Sequence, residues 1–552
     1  MGCRLKGPVR AAALDPALPV RLELGEAASS ALIVSNLPAG RYDVQVAADR
    51  TPPVVGLRIW GPGFPVATGT VTADTPMTFQ LDGARGYLVL QATGGRAGGH
   101  LSLSYLGPPT ENRPDLALDR RIDLVVRQIP GLADARQMRI QADGLVLADA
   151  AGRDIHHWPF SGTDEAEPIA IALDRRLPDI RHVALADDAA LHGLHHYPGF
   201  FFRTGEVAAD QAGRPLKVGV LGHDFKFIDI YLSYLKSVGH SVRFDTWDWA
   251  GPQDLVRSRE VTAWADVILC EWGLANALWA SRQAPPEKPL IVRLHAQEVR
   301  GAAQRFGRRI DANQVTQLVF VSETIRQQAV DLYGWPEAIT CCVPNFVLPE
   351  RFELSNWPHS GEGVLTLGLV GMTPASKRLD RALDLVEALQ ARGCPVRLRV
   401  KGRHPDLAGI RDVEQAYYRQ VFSRLENSPD LKRAVVFDAW GRDMPEWYRK
   451  VDVVLSCSDN ESFHYGLADG VLAGCPPVVW PWEGAAETYS ADWICASVED
   501  AAERVLSFRS MGAEQVTDMQ GANRALVKRR YGREHIFREL TKILSAPFEG
   551  AD

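Results

Sequence analysis

The sequence predicts an α/β protein: two Rossmann-like, doubly wound domains in tandem, preceded by a β-sandwich-like region. Three observations carry this. From about Leu18 to Leu106, short runs such as RLELG, SALIVSNL, YDVQVAA and YLVLQAT alternate apolar and polar residues between Gly, Pro, Asn and Asp turns, the period-two signature of antiparallel strands. From Pro215, continuous apolar runs (LKVGVLG, DVILCEW, PLIVRLH, QLVFVS) alternate with helix-length amphipathic segments, as in a parallel sheet covered by helices. After the linker VPNFVLPERFELSNWPHSGEG, the alternation restarts near Val364 with VLTLGLVG, VRLRVKG, AVVFDAWG, VDVVLSCS and PPVVWP.

The bulk numbers agree. A chain of 552 residues exceeds one hydrophobic core, and a prior of about 150 residues per domain gives about three or four. A composition of 46% hydrophobic and 23% charged residues can bury a large core. Net charge of -7 argues against a dedicated nucleic-acid binder, which would carry a strong basic field. Cys3, Cys270, Cys341, Cys342, Cys394, Cys457, Cys475 and Cys495 form no CxxC or other metal-ligand spacing and read as reduced core thiols of a cytosolic protein. The opening MGCRLKGPVR lacks the apolar core of a signal peptide and reads as a frayed end. No stretch approaches the roughly 20 apolar residues of a membrane span.

In chain order, the expected units are a β-sandwich-like module over 1–110 and a second β-rich module or extension over 111–205, ending in the His-rich and aromatic GLHHYPGFFFR. An α/β domain over 215–345, a second over 364–510 and C-terminal helices over 511–552 follow. Two such domains on one linker make a cleft, and ligands of these folds bind at the carboxyl ends of the strands. The segment REHIFRELTKILSAPF reads as an amphipathic helix packed across the two domains.

Two stretches carry chemistry. In LGLVGMTPASKRLDRALDLVEALQARG, a strand, a Gly turn at Gly371 and a helix starting at Thr373-Pro374 aim backbone N–H groups at a phosphate site, with Lys377 adding a full charge. Taken alone, Lys377 is as well read as a solvated first-turn lysine. In VDVVLSCSDNESFHYGLADGVLAGCPPVVWP, Glu461 lies in a loop before a helix and Asp469 about one turn inside it. The first can reach a ligand, and the second can accept both hydroxyls of a cis-diol such as ribose. Gly466, Ala468, Gly470, Ala473 and Gly474 allow close approach of backbone to a ligand or a neighbouring strand. An isolated acid here would otherwise simply favour the helix dipole.

Residues from about Leu216 to Leu506 resemble a retaining glycosyltransferase of glycosyltransferase family 4, which has the two-domain GT-B fold. The family's Glu-x7-Glu fingerprint stands here as Glu461-x7-Asp469, followed by Gly474-Cys475-Pro476, an apolar strand and Glu483-Gly484. The resemblance implies that Glu461 contacts donor-sugar hydroxyls and that Asp469 holds the ribose. Asp is one methylene shorter than the family's Glu, roughly 1.5 Å. It also implies donor contacts from Gly371, Ser462, Phe463 and Gly466 and places Lys377 on the diphosphate. Where the family has an Arg after the Gly, this chain has Met372; Arg378 or Arg403, of VKGRHP, would have to supply the charge, with Arg378 ranked slightly lower. His295, in IVRLHAQEVR, falls where the family often has a His near the donor sugar, although a satisfied structural histidine is about as good a reading; Glu298 and Arg300 follow it. Gly222, His223, Asp224 and Lys226 would line the acceptor side, and Ser322 and Asn345 fall at family landmarks.

The implied function is transfer of a sugar, hexosyltransferase-type, from a nucleotide-sugar co-substrate to a glycan or glycolipid acceptor in bacterial-type surface polysaccharide assembly. The implied mechanism is front-face attack with no enzyme nucleophile, unlike the paired carboxylates of glycosidases. No cofactor and no metal are expected to be required: Asp245-Thr246-Trp247-Asp248 reads as a loop near the sheet edge rather than a metal clamp. Nucleic-acid partners are not expected. The expected location is cytoplasmic, with peripheral contact at the inner membrane face through Arg308 and Arg309 or Arg529 and Arg530 as an option beside plain solvated faces. Two alternatives stay open: a catalytically inactive carbohydrate-binding scaffold, and a nucleotide-sugar epimerase of the same fold.

Overall fold

The computed structural model describes strand backbones between 9 and 107, most of 122–185, Arg203, and 214–549 apart from short breaks at 250, 253, 355–356, 358–362, 406–411 and 442. Cys3, most of the GLHHYPGFFFR stretch and the first eight residues lie outside the described residues. The chain forms two compact units, one of 1–293 with 300–316 and one of 294–299 with 317–552.

The first unit opens with β1 (Val9–Ala13), β2 (Val20–Leu24), β3 (Ser29–Leu37), β4 (Gly40–Ala48), β5 (Val54–Trp60), β6 (Pro65–Val71), β7 (Met77–Leu81), β8 (Gly86–Thr93) and β9 (Gly99–Gly107). They form two sheets, β1-β3-β8-β5-β6 and β2-β9-β4-β7, antiparallel except for the β1–β3 pair. The first eight residues of the opening, where a frayed end is expected, lie outside the described residues, and β1 begins at Val9. Strand β6 gave little signal in the sequence because PVATGTV starts on Pro and contains a Gly.

The next module pairs β10 (Gln137–Ile140), β11 (Gly144–Ala148), β12 (Asp154–Pro159) and β13 (His182–Leu185) in the order β12-β11-β10-β13. It is not only β: helix α1 (Ala166–Arg176) buries Ala166, Ile169, Ala170 and Leu173 against Met138, Leu145, Leu147 and Trp158. The i, i+3, i+4, i+7 spacing of those four residues is helical, and Pro168 sits in the first turn, where a missing N–H costs nothing. Asp174 of α1 keys this module to the α/β sheet that follows. It accepts hydrogen bonds from Arg203 and from Lys236 at 3.0 Å, all three buried.

That sheet contains β14 (Lys217–Gly222), β15 (Ser241–Asp248), β16 (Gly251–Pro252), β17 (Val267–Glu271) and β18 (Leu290–Leu294), in the order β16-β15-β14-β17-β18. All pair in parallel except the β15–β16 hairpin. The apolar runs are buried on both faces, as a sheet between helix layers requires. Asp245-Thr246-Trp247-Asp248 is therefore not a loop but the end of β15, next to edge strand β16; its Asp245 carboxylate is buried and accepts the Trp247 indole N–H at 2.6 Å.

The second unit carries β19 (Gln317–Phe320) paired in parallel with β20 (Thr340–Cys342), helix α2 (Glu323–Tyr333) between them, and a five-stranded parallel sheet. The sheet comprises β21 (Leu365–Val370), β22 (Val396–Lys401), β23 (Val435–Asp438), β24 (Val453–Ser456) and β25 (Pro477–Val479), in the order β23-β22-β21-β24-β25. The chain winds outward from β21 in one direction and then, from β24, in the other. The crevice between β21 and β24 is the topological switch point where such folds place ligands. The covering helices include α3 (Leu379–Ala391), α4 (Asp412–Asn427) and α5 (Tyr465–Leu472), with α6 (Ala513–Tyr531) and α7 (Arg533–Ser545) at the C-terminus. Helix α7 buries Ile536, Phe537, Leu540 and Leu544, and Phe537 meets Phe346 edge to face at 4.9 Å. No helix among the described residues is long and apolar enough to cross a membrane.

Candidate active site

The switch point of the second sheet brings Lys377 and Glu461 together although 84 positions separate them in sequence. Strand β21 ends at Val370, and the chain turns at Gly371, whose φ of +83° suits glycine. Its N–H donates to the Lys401 carbonyl at the end of β22, and the Lys377 side chain lies across it. Lys377 closes a short 3-10 turn, Ala375–Lys377, whose Ser376 carbonyl accepts the Asp459 N–H at 2.8 Å. That bond ties the loop after β21 to the loop after β24.

Lys377 Nζ stands 2.5 Å from Glu461 Oε1, and the Ser458 hydroxyl donates to the same oxygen at 2.7 Å. Glu461 Oε2 has no hydrogen-bond partner among the described residues. One carboxylate oxygen is therefore held and the other is open to a hydroxyl donor, while the ammonium keeps two further N–H donors. Burial pushes the Glu461 carboxyl up, but neighbouring His464 and Lys377, with the hydrogen bonds from Lys377 and Ser458, outweigh it and hold the group below its ordinary range. His464 is itself driven down to about 4 by burial, so it is neutral near pH 7 and Lys377 is the cation that compensates the carboxylate.

Asp469 lies one turn inside α5. No described residue makes a hydrogen bond or ion pair with its carboxylate. Burial raises it to about 7, opposed by the charge of Arg351. A half-dehydrated carboxylate without a partner is costly for folding alone, and such groups gather where ligands bind.

The other expected donor residues are placed as follows. Met372 is fully buried in the core between sheet and helices, so its side chain belongs to the core rather than to the site. Arg378 has a left-handed backbone, φ +55°, and its guanidinium is bidentate to Asp380 and bonded to Asp459 at 2.9 Å. The helix does not start at Thr373-Pro374: α3 begins at Leu379, and the Arg378–Asp380 pair occupies its first turn. Arg403, after β22, is exposed, pairs with no carboxylate among the described residues, and stacks over the exposed Trp440 ring at 4.7 Å. Phe463 is a core side chain against Tyr465 and Tyr531, so only its backbone is available to a ligand; Ser462, beside it, is partly exposed. Gly466 is glycine because helix and strand touch there: a Cβ would come within 2.6 Å of Val370. His295 lies in the loop after β18, buried, its backbone N–H donating to the Glu298 carboxylate at 3.2 Å. Ser322 caps α2 through the Ile325 N–H, and Asn345 is buried.

The switch point of the first sheet, between β14 and β17, holds a second cluster. Gly222 ends β14, and a Cβ there would meet Phe225 and the Glu271 carbonyl within 3.0 Å. Trp272, after β17, has φ +71°; its indole donates to the Asp224 carbonyl at 2.8 Å, and its ring meets His223 at 5.1 Å and Phe227 at 5.8 Å. Lys226 pairs with Asp224 at 2.6 Å and remains exposed. Burial lowers the His223 imidazole below its ordinary range despite Asp224.

Sequence reasoning missed Trp272, Ser458 and His464. A usable signal exists only for Ser458, a hydroxyl three residues before an acid in a loop. The three non-glycine residues with positive φ among the described ones, Trp272, Arg378 and His464, all flank these clusters, the kind of backbone strain that functional sites retain. No group of His, Cys, Asp and Glu suited to a metal ion occurs among the described residues. The seven described cysteines are free.

No family model matches the chain, and no curated protein sequence matches it. Among solved structures it is similar to a glycosyltransferase from Rickettsia africae ESF-5, at 12% identity over 61% of this chain and 100% of that one, TM-score 0.49. It is also similar to Anabaena HepE, solved in complex with UDP and glucose, at 16% identity over 60% of this chain and 100% of that one, TM-score 0.47. A third likeness is to sucrose-phosphate synthase from Thermosynechococcus elongatus, at 13% identity over 60% of this chain and 99% of that one, TM-score 0.45. All three likenesses are distant.

Proposed function

We propose that the chain is a retaining glycosyltransferase of family 4 type that moves a sugar from a nucleotide-sugar donor to a glycan or glycolipid, in surface polysaccharide assembly. The observation that carries the reading is the second switch point: a Lys377–Glu461 pair with one carboxylate oxygen open, beside an unpartnered Asp469. Those are the groups that a diphosphate, a sugar hydroxyl and a ribose diol would occupy. The first switch point, with His223, Asp224, Lys226 and Trp272, is assigned to the acceptor.

In this reading the bond from the anomeric carbon to the donor phosphate oxygen breaks as the acceptor oxygen bonds to the same face of that carbon, and the acceptor proton passes to the departing phosphate. Negative charge gathers on the diphosphate, so Lys377 and the backbone N–H groups of the Gly371 turn stabilise the transition state. Glu461 orients the sugar through Oε2 and forms no covalent bond. Arg403, free of carboxylate partners, is the cation that replaces the family's Arg, since Arg378 is engaged by Asp380 and Asp459. The reaction as written calls on no metal. Contact with the inner membrane face remains part of the proposal for lipid-linked acceptors.

The test is a thermal-shift titration with UDP-, GDP-, ADP- and CMP-sugars, with Lys377→Ala and Asp469→Ala alongside. A rise in Tm with one nucleotide family, lost in both variants, supports the reading; no shift with any donor overturns it and favours a binding scaffold.

A further inference from the structure

His464 takes no part in the sequence reading, yet it is buried and held in a strained backbone at the second switch point. Its backbone is left-handed, φ +61° and ψ +71°, at the residue that opens α5. A side chain costs about 1 kcal/mol more than glycine in that conformation, so its retention calls for contacts that the ring makes. Its side chain is 3% exposed. Nδ1 is 2.7 Å from Ser456 Oγ and 4.0 Å from Glu461 Oε1.

The neighbours leave room for a proton on Nε2. The Trp482 indole can only donate, and it donates to Ser456 Oγ at 3.1 Å. The Ser456 hydroxyl hydrogen is then available to Nδ1, and in that arrangement the imidazole proton is on Nε2. Nε2 is buried without a well-formed hydrogen bond, and the ring senses the backbone of Val370, the residue before Gly371. The imidazole thus stands between the end of β24, which supplies the Glu461 loop, and the end of β21, which supplies the Lys377 turn.

We propose that His464 is a positioning residue that, in its Nε2–H tautomer set by the Trp482–Ser456 relay, holds the Lys377–Glu461 pair in register across the switch point. Its effect on turnover rests on the transferase reading; its effect on the pair does not. An uncharged ring next to Glu461 excludes water and leaves the carboxylate to Lys377, whereas an imidazolium would compete for it. Glycine at 464 keeps the left-handed turn and removes the ring. Asparagine tolerates the same backbone and offers an oxygen to the Ser456 hydroxyl.

The experiment has two arms on the full chain. Long-range proton–nitrogen spectra of histidine-labelled protein at pH 7, assigned with His464→Gly, are expected to show Nε2–H and bare Nδ1, and Ser456→Ala is expected to remove that preference; an Nδ1–H tautomer overturns the proposal. Acetylation of Lys377 by acetic anhydride, read by mass spectrometry, is expected to rise at least about threefold in His464→Gly and to return toward the parent rate in His464→Asn. An unchanged rate overturns it. With a donor identified, kcat of His464→Gly is expected to fall about tenfold or more with KM within about threefold, a split that loss of fold would not give; full kcat with donor binding intact overturns the role while leaving the transferase reading in place. Absence of donor binding in the parent chain sinks the transferase reading alone, and the spectra and acetylation still decide on His464.

Discussion

The two switch points are built alike and furnished differently. In each, the turn after the first strand begins with a buried or strained glycine, Gly222 or Gly371, and faces a loop from the strand across the crevice. In the first unit that facing residue is Trp272, and the cluster is aromatic with one exposed Asp224–Lys226 pair. In the second unit it is Glu461, and the cluster is a largely buried charge pair with an unpartnered acid nearby. One topology offers the same place twice; the side chains decide whether it suits a flat, weakly charged surface or a diphosphate. An aromatic wall suits the apolar faces of sugar rings, and a dehydrated ammonium suits phosphate.

That contrast breaks if the charges are interchangeable. Lys377→Ala is expected to lower turnover by about a thousandfold or more and to abolish the nucleotide-sugar thermal shift, whereas Lys226→Ala should leave the shift within about 1 °C; equal losses would erase the distinction. Next in size, Met372→Arg, which installs the Arg of the family 4 pattern, should destabilise the chain by about 3 kcal/mol without raising donor affinity, because the position lies in the core; chemical unfolding and donor titration together check it. Trp272→Ala should cost about 2 kcal/mol and raise the acceptor KM while the donor shift persists. A lost donor shift would move the donor to the first unit.

The smallest effect tests the unpartnered acid. Asp469, raised to about 7 by burial, keeps its proton in the folded state at pH values where the unfolded chain has released it. The folded state therefore binds more protons, and stability falls as pH rises from about 4 through about 7 and then levels. Asp469→Asn should lack this slope. It should be more stable than the parent at pH 8 by about 1–2 kcal/mol, allowing for the solvent that reaches the partly exposed carboxyl, while binding donor more weakly. A variant no more stable at pH 8 would mean that the carboxylate is compensated after all.

Glu461, Asp469 and Lys377 were legible because they sit at fixed offsets from strand ends, and a strand-turn-helix unit leaves few places for a charge to point. Helix α1 carries a local signal in the spacing of Ala166, Ile169, Ala170 and Leu173, but it lies in a stretch whose other runs alternate, and in sequence that stretch reads as β-rich. Arg378 was not legible: whether it serves a ligand depends on Asp459, 81 positions away, which the fold brings to it. The same holds for Gly466, whose smallness reflects contact with Val370 rather than a ligand.

By itself, then, the sequence determined the alternation of strands and helices and the offsets that put Lys377 and Glu461 at strand ends, since periodicity is a property of consecutive residues. Only the tertiary structure decided that Lys377 pairs with Glu461, that Arg378 is engaged and Arg403 is not, and that Trp482, Ser456 and His464 form one relay. Hydrogen bonds and burial act between residues that become neighbours when β24 lies down beside β21, and no local pattern records which side chains will meet there.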